Sequence, residues 1–294
     1  MVIRHARLLL LASLVLCSGR DAAFAYTTKY YVWTTPSAEC PTSASDLPEM
    51  DDMIDAWAEK MEDEGWARAG RLVDGNLNLN RFCDPDSGIA GCSDHSTGID
   101  EADAVFIGVH GSDASDHWEG LLRDSGTSGQ SCDANASDDF RAGDADAEFV
   151  HSASCHSMDD DNLPYAWQMM EDPADSPSSG LRLQLYTGFH GSGVASDSAE
   201  PYMEDLARDG FRGAVSDAWI DNLYFTSIQY TGVAGDHELC PVAYSIGAGA
   251  NSCEDRLLST GYGSVGSDPA SNDWYCYTYI AGCDSYDESS FVPQ

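Results

Sequence analysis

The sequence predicts an α/β fold in which helices pack on a largely parallel sheet. Short apolar runs, rich in β-branched and aromatic residues, alternate with amphipathic segments through the middle of the chain. This alternation is typical of parallel sheets, because their strands are joined through helices. The chain has 294 residues, enough to bury a core of its own. We therefore expect a single α/β domain over residues 26–294, with a cysteine-rich carboxy-terminal segment.

The amino-terminal segment predicts export from the cytoplasm. Basic residues at 4–7 precede an apolar run over 8–17, and the small-residue site Ala23-Phe24-Ala25 follows. This is the pattern of a secretory signal peptide, which we place at residues 1–25. The apolar run is too short to span a bilayer. We expect the mature protein to be secreted, periplasmic or at the cell surface, without membrane insertion.

The negative charge of the chain excludes some classes of binding partner. The formal net charge is −36, with 50 acidic and 14 basic residues. Such a surface repels nucleic acid and anionic membranes, so we expect neither as a partner. The acidity is typical of a solvated surface, and calcium binding by some of the aspartates stays possible. Asp84, Asp86 and Asp94 lie close together in sequence, but they do not form an EF-hand pattern.

The cysteine count predicts several disulfides and one remaining thiol. The chain has ten cysteines, of which Cys17 lies in the signal peptide, so the exported chain has an odd number. Exported cysteines usually pair. The simplest pairing is within local loops, and it leaves Cys155 as the odd cysteine, reactive or buried and inert. The expected pairs are Cys83–Cys92, Cys240–Cys253, Cys276–Cys283 and Cys40–Cys132.

The spacing of apolar residues predicts where the helices and strands lie. Helices are expected over 48–64, 163–171, 198–209 and 214–227, with a short one over 116–124. Strands are expected at 30–34, 104–109, 147–154, 181–189 and 241–246. Residues 70–101 are expected to be mostly loop, 125–146 a flexible loop near the site, and the chain after 247 a disulfide-stapled tail.

Two of the predicted strands end in side chains that could perform covalent chemistry. His110 and Gly111 follow the run 104–109, and Cys155 follows the run 147–154. Because sites in parallel sheets form at the carboxyl ends of strands, the imidazole and the thiol are expected to face each other there. His110 would act as the base, and the Gly111 N–H would bind a developing oxyanion.

These two segments resemble the active-site layout of the caspase, legumain, gingipain and clostripain clan of cysteine peptidases. The matching residues are Val105-Phe106-Ile107-Gly108-Val109-His110-Gly111 and Phe149-Val150-His151-Ser152-Ala153-Ser154-Cys155. The resemblance implies a caspase-like three-layer α/β sandwich with disulfide-stapled loops, a His110–Cys155 dyad, Gly111 in the oxyanion hole, a peptide or protein substrate and no required cofactor. Ser154 departs from the clan, which usually has Ala there. The chain is also similar to uncharacterised exported bacterial proteins that carry a comparable His-Gly, Cys and Gly-Phe-His series.

Other residues are candidates for substrate contact. His156 follows the predicted nucleophile, and His190-Gly191 follows a third strand as His110-Gly111 follows the first. His190 could line the cleft, replace His110 as the base, or be a structural histidine at a strand end. Asp217 could select a basic side chain, although it lies in a predicted helix.

Two other hypotheses compete with the peptidase. His110, Cys155, His156 and His190 could converge as metal ligands, since zinc prefers cysteine and histidine, but their spacing fits no known zinc pattern. Alternatively, the chain is a non-catalytic exported binding protein on the same fold. The favoured prediction is a secreted cysteine peptidase or related acyl-transfer enzyme.

Overall fold

The computed structural model describes residues 26–36, 45–74, 77–83, 85, 91–113, 118–122, 134–135, 140–143, 145–161, 183–228, 237–271 and 273–285. The predicted signal peptide, the predicted helix over 163–171, most of the predicted loop over 125–146, Cys40 and Cys132 lie outside these ranges.

The described chain alternates strands and helices, as the sequence predicts. The strands are β1 (Thr27–Val32), β2 (Ala67–Val73), β3 (Ala104–Gly108), β4 (Gly111–Asp113), β5 (Trp118–Gly120), β6 (Ala134–Asn135), β7 (Phe149–Ser152), β8 (Leu185–His190), β9 (Phe225–Ile228), β10 (His237–Gly247) and β11 (Trp274–Tyr279). The α-helices are α1 (Glu49–Asp63), α2 (Asp94–Thr97), α3 (Glu200–Arg212), α4 (Val215–Leu223) and α5 (Ala250–Ser259). Short 3₁₀ turns lie at Leu79–Arg81, Ile99–Glu101 and Asp197–Ala199.

Eight strands form one mixed sheet, which confirms the predicted mostly parallel architecture. Its order is β11-β10-β8-β7-β3-β1-β2, and β9 pairs with β10. Strands β2, β1, β3, β7 and β8 run parallel, whereas β10 is antiparallel to β8, β9 and β11. Every residue of β3 and β7 is buried. Burial on both faces explains why these two strands are continuous apolar runs.

The two faces of the sheet are covered differently. The described helices of nine residues or more contribute to one face, where Trp57 of α1 packs with Met203 of α3, Trp219 of α4 and Leu257 of α5. The predicted apolar stripe of α1 is buried there; its members are Met50, Met53, Ile54, Trp57 and Met61. On the opposite face, the described covering residues come from loops and short strands. Trp118 of β5 is one of them.

Four segments differ from the sequence prediction. The predicted helix over 214–227 ends as α4 at Leu223, and residues 225–228 form β9, which pairs with β10. The predicted loop over 70–101 begins inside β2, an exposed edge strand that exists because it pairs with β1. The predicted short helix over 116–124 contains β5 instead, which pairs with β4 and β6. The carboxy-terminal tail contains α5 and β11 rather than loop alone. For the strands among these segments, pairing with another segment overrides weak local propensity.

The disulfides confirm one predicted pair and correct two. Cys83–Cys92 is present as predicted. The predicted pairs Cys240–Cys253 and Cys276–Cys283 are wrong, because the bonds join Cys240 to Cys283 and Cys253 to Cys276. The exchange follows from the fold, because β10 and β11 lie side by side and α5, which lies between them in the chain, contacts both. Cysteines that are distant in sequence therefore become neighbours.

None of the described helices combines the length and the apolar character that crossing a bilayer requires.

Candidate active site

Strands β3 and β7 bring the predicted dyad to the same edge of the sheet. Their parallel register pairs Ala104 with Phe149 and Ile107 with Ser152, a constant offset of 45 residues. The Ala153 N–H still donates to the Ile107 carbonyl at 2.8 Å, so the pairing continues past β7. Both segments then leave the ladder, and His110 and Cys155 lie two and three residues beyond the ends of β3 and β7. Because neighbouring strands lie about 5 Å apart, the two residues follow adjacent strand ends at one edge of the sheet.

Gly111 shows how closely the two strand ends approach. A Cβ atom on Gly111 would lie 2.2 Å from the Cys155 carbonyl oxygen and 2.3 Å from Ser154 Oγ. No side chain larger than hydrogen fits at such distances. A glycine is therefore required at this position by its close contact with Ser154 and Cys155.

The backbone N–H of Gly111 lies outside the pairing of β4 with β5. Gly111 faces Gly120, and the Leu121 N–H donates to the His110 carbonyl at 2.9 Å. This pattern makes Gly111 and Gly120 a non-hydrogen-bonded pair of the antiparallel ladder, so the amide of Gly111 points away from β5. The Gly111 amide is thus not used by β5, which the predicted role of an oxyanion donor requires.

One ring nitrogen of His110 is engaged by the backbone. His110 Nε2 lies 2.7 Å from the carbonyl oxygen of Ser45, in the segment that leads into α1. A carbonyl can only accept, so Nε2 carries the proton and donates. In the neutral imidazole the lone pair then belongs to Nδ1, which is the nitrogen able to accept a proton.

Cys155 is a half-buried thiol and is not in a disulfide. The odd number of cysteines in the exported chain predicts such a thiol. Its Sγ accepts a hydrogen bond from the backbone N–H of Gly193 at 3.2 Å. Gly193 follows β8, so a third strand end contributes to the site. Hydrogen bonds to sulfur favour the thiolate over the thiol, which lowers the pKa of a cysteine.

Trp118 holds the backbone around the thiol. Its buried indole Nε1 lies 3.1 Å from both Ser154 Oγ and the Cys155 carbonyl oxygen. Ser154, which departs from the alanine usual in the resembled clan, therefore has a local partner. The serine is accommodated because an indole N–H lies beside it.

A buried carboxylate links the loops that follow β7 and β8. Asp159, 1% exposed, lies 2.7 Å from His156 Nδ1 and 3.5 Å from His190 Nδ1. It also accepts the Gly191 N–H at 2.6 Å. Burial alone would raise the pKa of Asp159, but the hydrogen bonds from His156, His190 and Gly191 outweigh it and hold that pKa below its usual range. Asp159 is therefore an ionised carboxylate whose oxygens accept hydrogen bonds.

His156 has an unusual backbone conformation beside this carboxylate. Its φ of 57° lies in the left-handed region, which is uncommon for residues other than glycine. Its N–H donates to the Gly191 carbonyl at 2.6 Å, which ties the strained residue to the β8 loop. Such strain persists only where several contacts determine it, and it clusters at functional sites.

Further carboxylates lie next to Asp159. Oxygen atoms of Asp113, Asp159 and Asp161 lie within 4.8 Å of one another. Burial, together with the negative charges of Asp113, Asp159 and Asp160, raises the pKa of Asp161. Among the described residues, no group of three or more ligand atoms within that distance contains His110, Cys155, His156 or His190. The geometry thus gives no support to a metal site made from those four side chains.

The three predicted substrate-binding residues lie in different environments. The His190 side chain is fully buried, so it is not exposed to a substrate, and its contact with Asp159 favours the structural interpretation. The His156 side chain is 12% exposed and is held by the same carboxylate. Asp217 is exposed in the first turn of α4, on the helix-covered side of the sheet.

Sequence reasoning missed Asp159, Gly193 and Trp118 as members of the site. Asp159 belongs to an acidic run typical of a solvated surface, whereas it is buried in the turn that precedes residue 162. The pair Gly191 and Gly193 directly after a strand-terminal histidine was a usable signal for close backbone approach. Trp118 was assigned to a helix face, and nothing in its local sequence indicates its contact with Ser154.

Comparison with known proteins assigns the chain to a family. The chain belongs to the family described as a domain of unknown function (DUF6345), whose model matches residues 32–282. The match includes all three strand ends described above. No curated protein and no solved structure shows a significant match.

Proposed function

We propose that this member of the DUF6345 family is an exported cysteine peptidase or a related acyl-transfer enzyme. Cys155 is the nucleophile, His110 is the base and Gly111 supplies an oxyanion donor. The observation that supports the proposal is that His110 and Cys155 follow the ends of the adjacent parallel strands β3 and β7, with His110 Nε2 donating to the Ser45 carbonyl. Nucleophilic catalysis by a cysteine requires an oriented imidazole within reach of the thiol.

The proposed reaction proceeds in two steps. His110 Nδ1 takes the thiol proton while Cys155 Sγ attacks the carbonyl carbon of an amide, forming a C–S bond. The Gly111 N–H binds the oxyanion, and His110 then returns the proton to the departing amine as the C–N bond breaks. Water, or an amine in transpeptidation, attacks the thioester and releases the acyl group, which restores the thiol.

The architecture and the disulfides support the same proposal at a coarser level. A mostly parallel sheet with His110 and Cys155 beyond adjacent strands is the layout that a caspase-like sandwich implies. The three disulfides are typical of proteins from oxidising compartments, which agrees with the proposed export.

Alkylation of the native thiol tests the proposal. Non-reduced mature protein is treated with iodoacetamide near pH 7, and the labelled site is found by peptide mapping. We expect fast, single labelling at Cys155, because an activated cysteine is largely thiolate at that pH. His110→Ala should slow this labelling by about tenfold or more, which corresponds to one unit of thiol pKa.

A matched histidine variant controls for general effects. His95, with a side chain 39% exposed in α2, serves for this purpose, and His95→Ala should leave the rate unchanged. Unreactive Cys155, or labelling that His110→Ala does not alter, would remove the enzyme hypothesis. That outcome would favour the non-catalytic binding protein.

A further inference from the structure

The loops that follow β7 and β8 are joined by a short series of hydrogen bonds that starts at Asp159. The Asp159 carboxylate accepts the Gly191 N–H at 2.6 Å, and the Gly191 carbonyl accepts the His156 N–H at 2.6 Å. Both loops are thus held at the position where each leaves the sheet. Asp159 is fully buried, which strengthens each of these contacts.

The same loop carries the group that contacts the nucleophile. Gly193, two residues beyond Gly191, donates its N–H to Cys155 Sγ at 3.2 Å. A Cβ on Gly193 would lie 2.9 Å from the Ala153 carbonyl oxygen, so this loop lies directly on the backbone that precedes the thiol. A shift of the loop would withdraw the Gly193 amide from sulfur.

We propose that Asp159 is a positioning residue: by holding the 190–193 loop it keeps the Gly193 N–H on Cys155 and so maintains the thiol in its reactive form. The inference rests on the proposed function, since it concerns the same nucleophile. Asp159 acts through Gly191 and Gly193, and it has no role as a proton donor or acceptor in the reaction.

Charge and position predict opposite effects for changes at Asp159. Asp159 lies beside Asp113 and Asp161. A negative charge that acts on the thiol disfavours the thiolate, so removing the charge of Asp159 would lower the thiol pKa. As a positioning group, Asp159 favours the thiolate, so displacing it would raise the thiol pKa. The direction of the change therefore separates the two roles.

Two substitutions separate charge from position. Asp159→Asn removes the charge but keeps an oxygen that can accept the Gly191 N–H. Asp159→Glu keeps the charge but adds a methylene, which moves the oxygens away from that amide. The rate of iodoacetamide alkylation at Cys155 is measured against pH for the intact mature protein and for both variants, and thermal unfolding verifies that each is folded. Asp161→Asn removes a neighbouring charge and serves as the control.

We expect Asp159→Glu to raise the midpoint of the alkylation profile and to slow labelling at pH 7 by roughly tenfold, which corresponds to about one pKa unit. Asp159→Asn and Asp161→Asn should not raise it. A lowered midpoint for Asp159→Asn together with an unchanged midpoint for Asp159→Glu would overturn the inference and show a charge effect alone. If Asp159→Glu does not fold, Asp159→Ala, which removes both the charge and the acceptor, takes its place: a midpoint raised by Asp159→Ala and not by Asp161→Asn supports positioning, and a lowered or unchanged one overturns it.

The wild-type profile distinguishes the two proposals from each other. A wild-type midpoint near that of an ordinary thiol, about 8.5, would reject both the proposed function and this inference. A depressed wild-type midpoint that Asp159→Glu leaves in place rejects only the inference.

Discussion

The middle and the end of strand β7 hold a histidine and a cysteine in opposite environments. His151 is fully buried, with its ring 5.5 Å from that of Trp219 and its nitrogens 2.7 Å from Thr187 Oγ1 and from the Tyr262 hydroxyl. Cys155, beyond the end of the strand, is half-buried and contacts a loop amide. Both belong to the segment that resembles a peptidase clan, but only the second lies beyond a strand end, where the Gly193 amide contacts it.

This difference shows what a strand end contributes. In the strand interior the amides are used by neighbouring strands, and the side chain is enclosed by rings. Burial lowers the pKa of His151 to about 3, so the ring is neutral and structural at any ordinary pH. At the strand end, the amides of Gly111 and Gly193 leave the ladder and can serve a site. The following predictions test the contrast, from the largest expected effect to the smallest.

Cys155, beyond the end of β7, should be essential for the proposed reaction. Cys155→Ala removes the only proposed nucleophile, so cleavage of any substrate that the wild type processes should fall by a thousandfold or more, on the order of 4 kcal/mol in transition-state stabilisation. The unfolding midpoint should change little, because the thiol is half-buried. The measurement is the initial rate of cleavage beside a thermal melt. Activity retained in this variant would place the chemistry elsewhere.

His151, in the middle of β7, should instead make the free energy of unfolding fall at acidic pH. Because the folded pKa of His151 lies near 3 and the unfolded one near 6.5, the unfolded state binds the proton first as the pH falls. The contribution of neutral His151 is complete above pH 6.5 and is lost towards pH 3. Between pH 6.5 and pH 4.5 this amounts to about 2 to 3 kcal/mol.

Urea unfolding at these two pH values isolates that contribution. The wild type is compared with His151→Gln, which cannot take up the proton and shares every other titrating group. The wild type should lose more stability than the variant over this interval. Equal losses would mean that His151 is protonated, and therefore accessible, in the folded protein.

Gly111 tests how closely the strand ends approach. Gly111→Ala places a Cβ within 2.4 Å of Trp118 Nε1 as well as against Ser154 and Cys155, so we expect a destabilisation of about 1 to 3 kcal/mol. Gly249→Ala is the matched control, because a Cβ there meets nothing within 4 Å. Denaturant unfolding of both variants measures the difference, and equal stabilities would contradict the close contact.

Trp118 tests whether the backbone around the thiol needs its indole donor. Trp118→Phe removes hydrogen bonds to Ser154 and Cys155 and should cost about 1 kcal/mol while slowing alkylation of Cys155. Trp57→Phe loses a single, longer bond to Tyr262 and should leave the alkylation rate unchanged. The same rate in both variants would show that the indole is a packing group only.

Strong local signals were sufficient for much of the architecture. The buried strands β3 and β7 and the amphipathic helix α1 were predicted close to their observed bounds, because long apolar patterns leave few alternatives. The weakly patterned strands β2 and β5 were missed, because each is stabilised by pairing with another segment: β2 with the distant β1, and β5 with the nearby β4. The two incorrect disulfide predictions assumed local pairing, whereas the bonds join cysteines 43 and 23 residues apart.

By itself, the sequence determined that an imidazole, a glycine and an odd thiol each follow a buried strand, because apolar runs and cysteine counts are local properties. Which nitrogen of His110 is engaged, which amide contacts Cys155 and which carboxylate joins the loops were decided only by the tertiary structure. Ser45, Gly193 and Asp159 reach those positions through the packing of α1 and through the loops that leave β7 and β8. Hydrogen bonds between segments that are distant along the chain form only where the folded backbones come close together. A local pattern of residues does not specify that proximity.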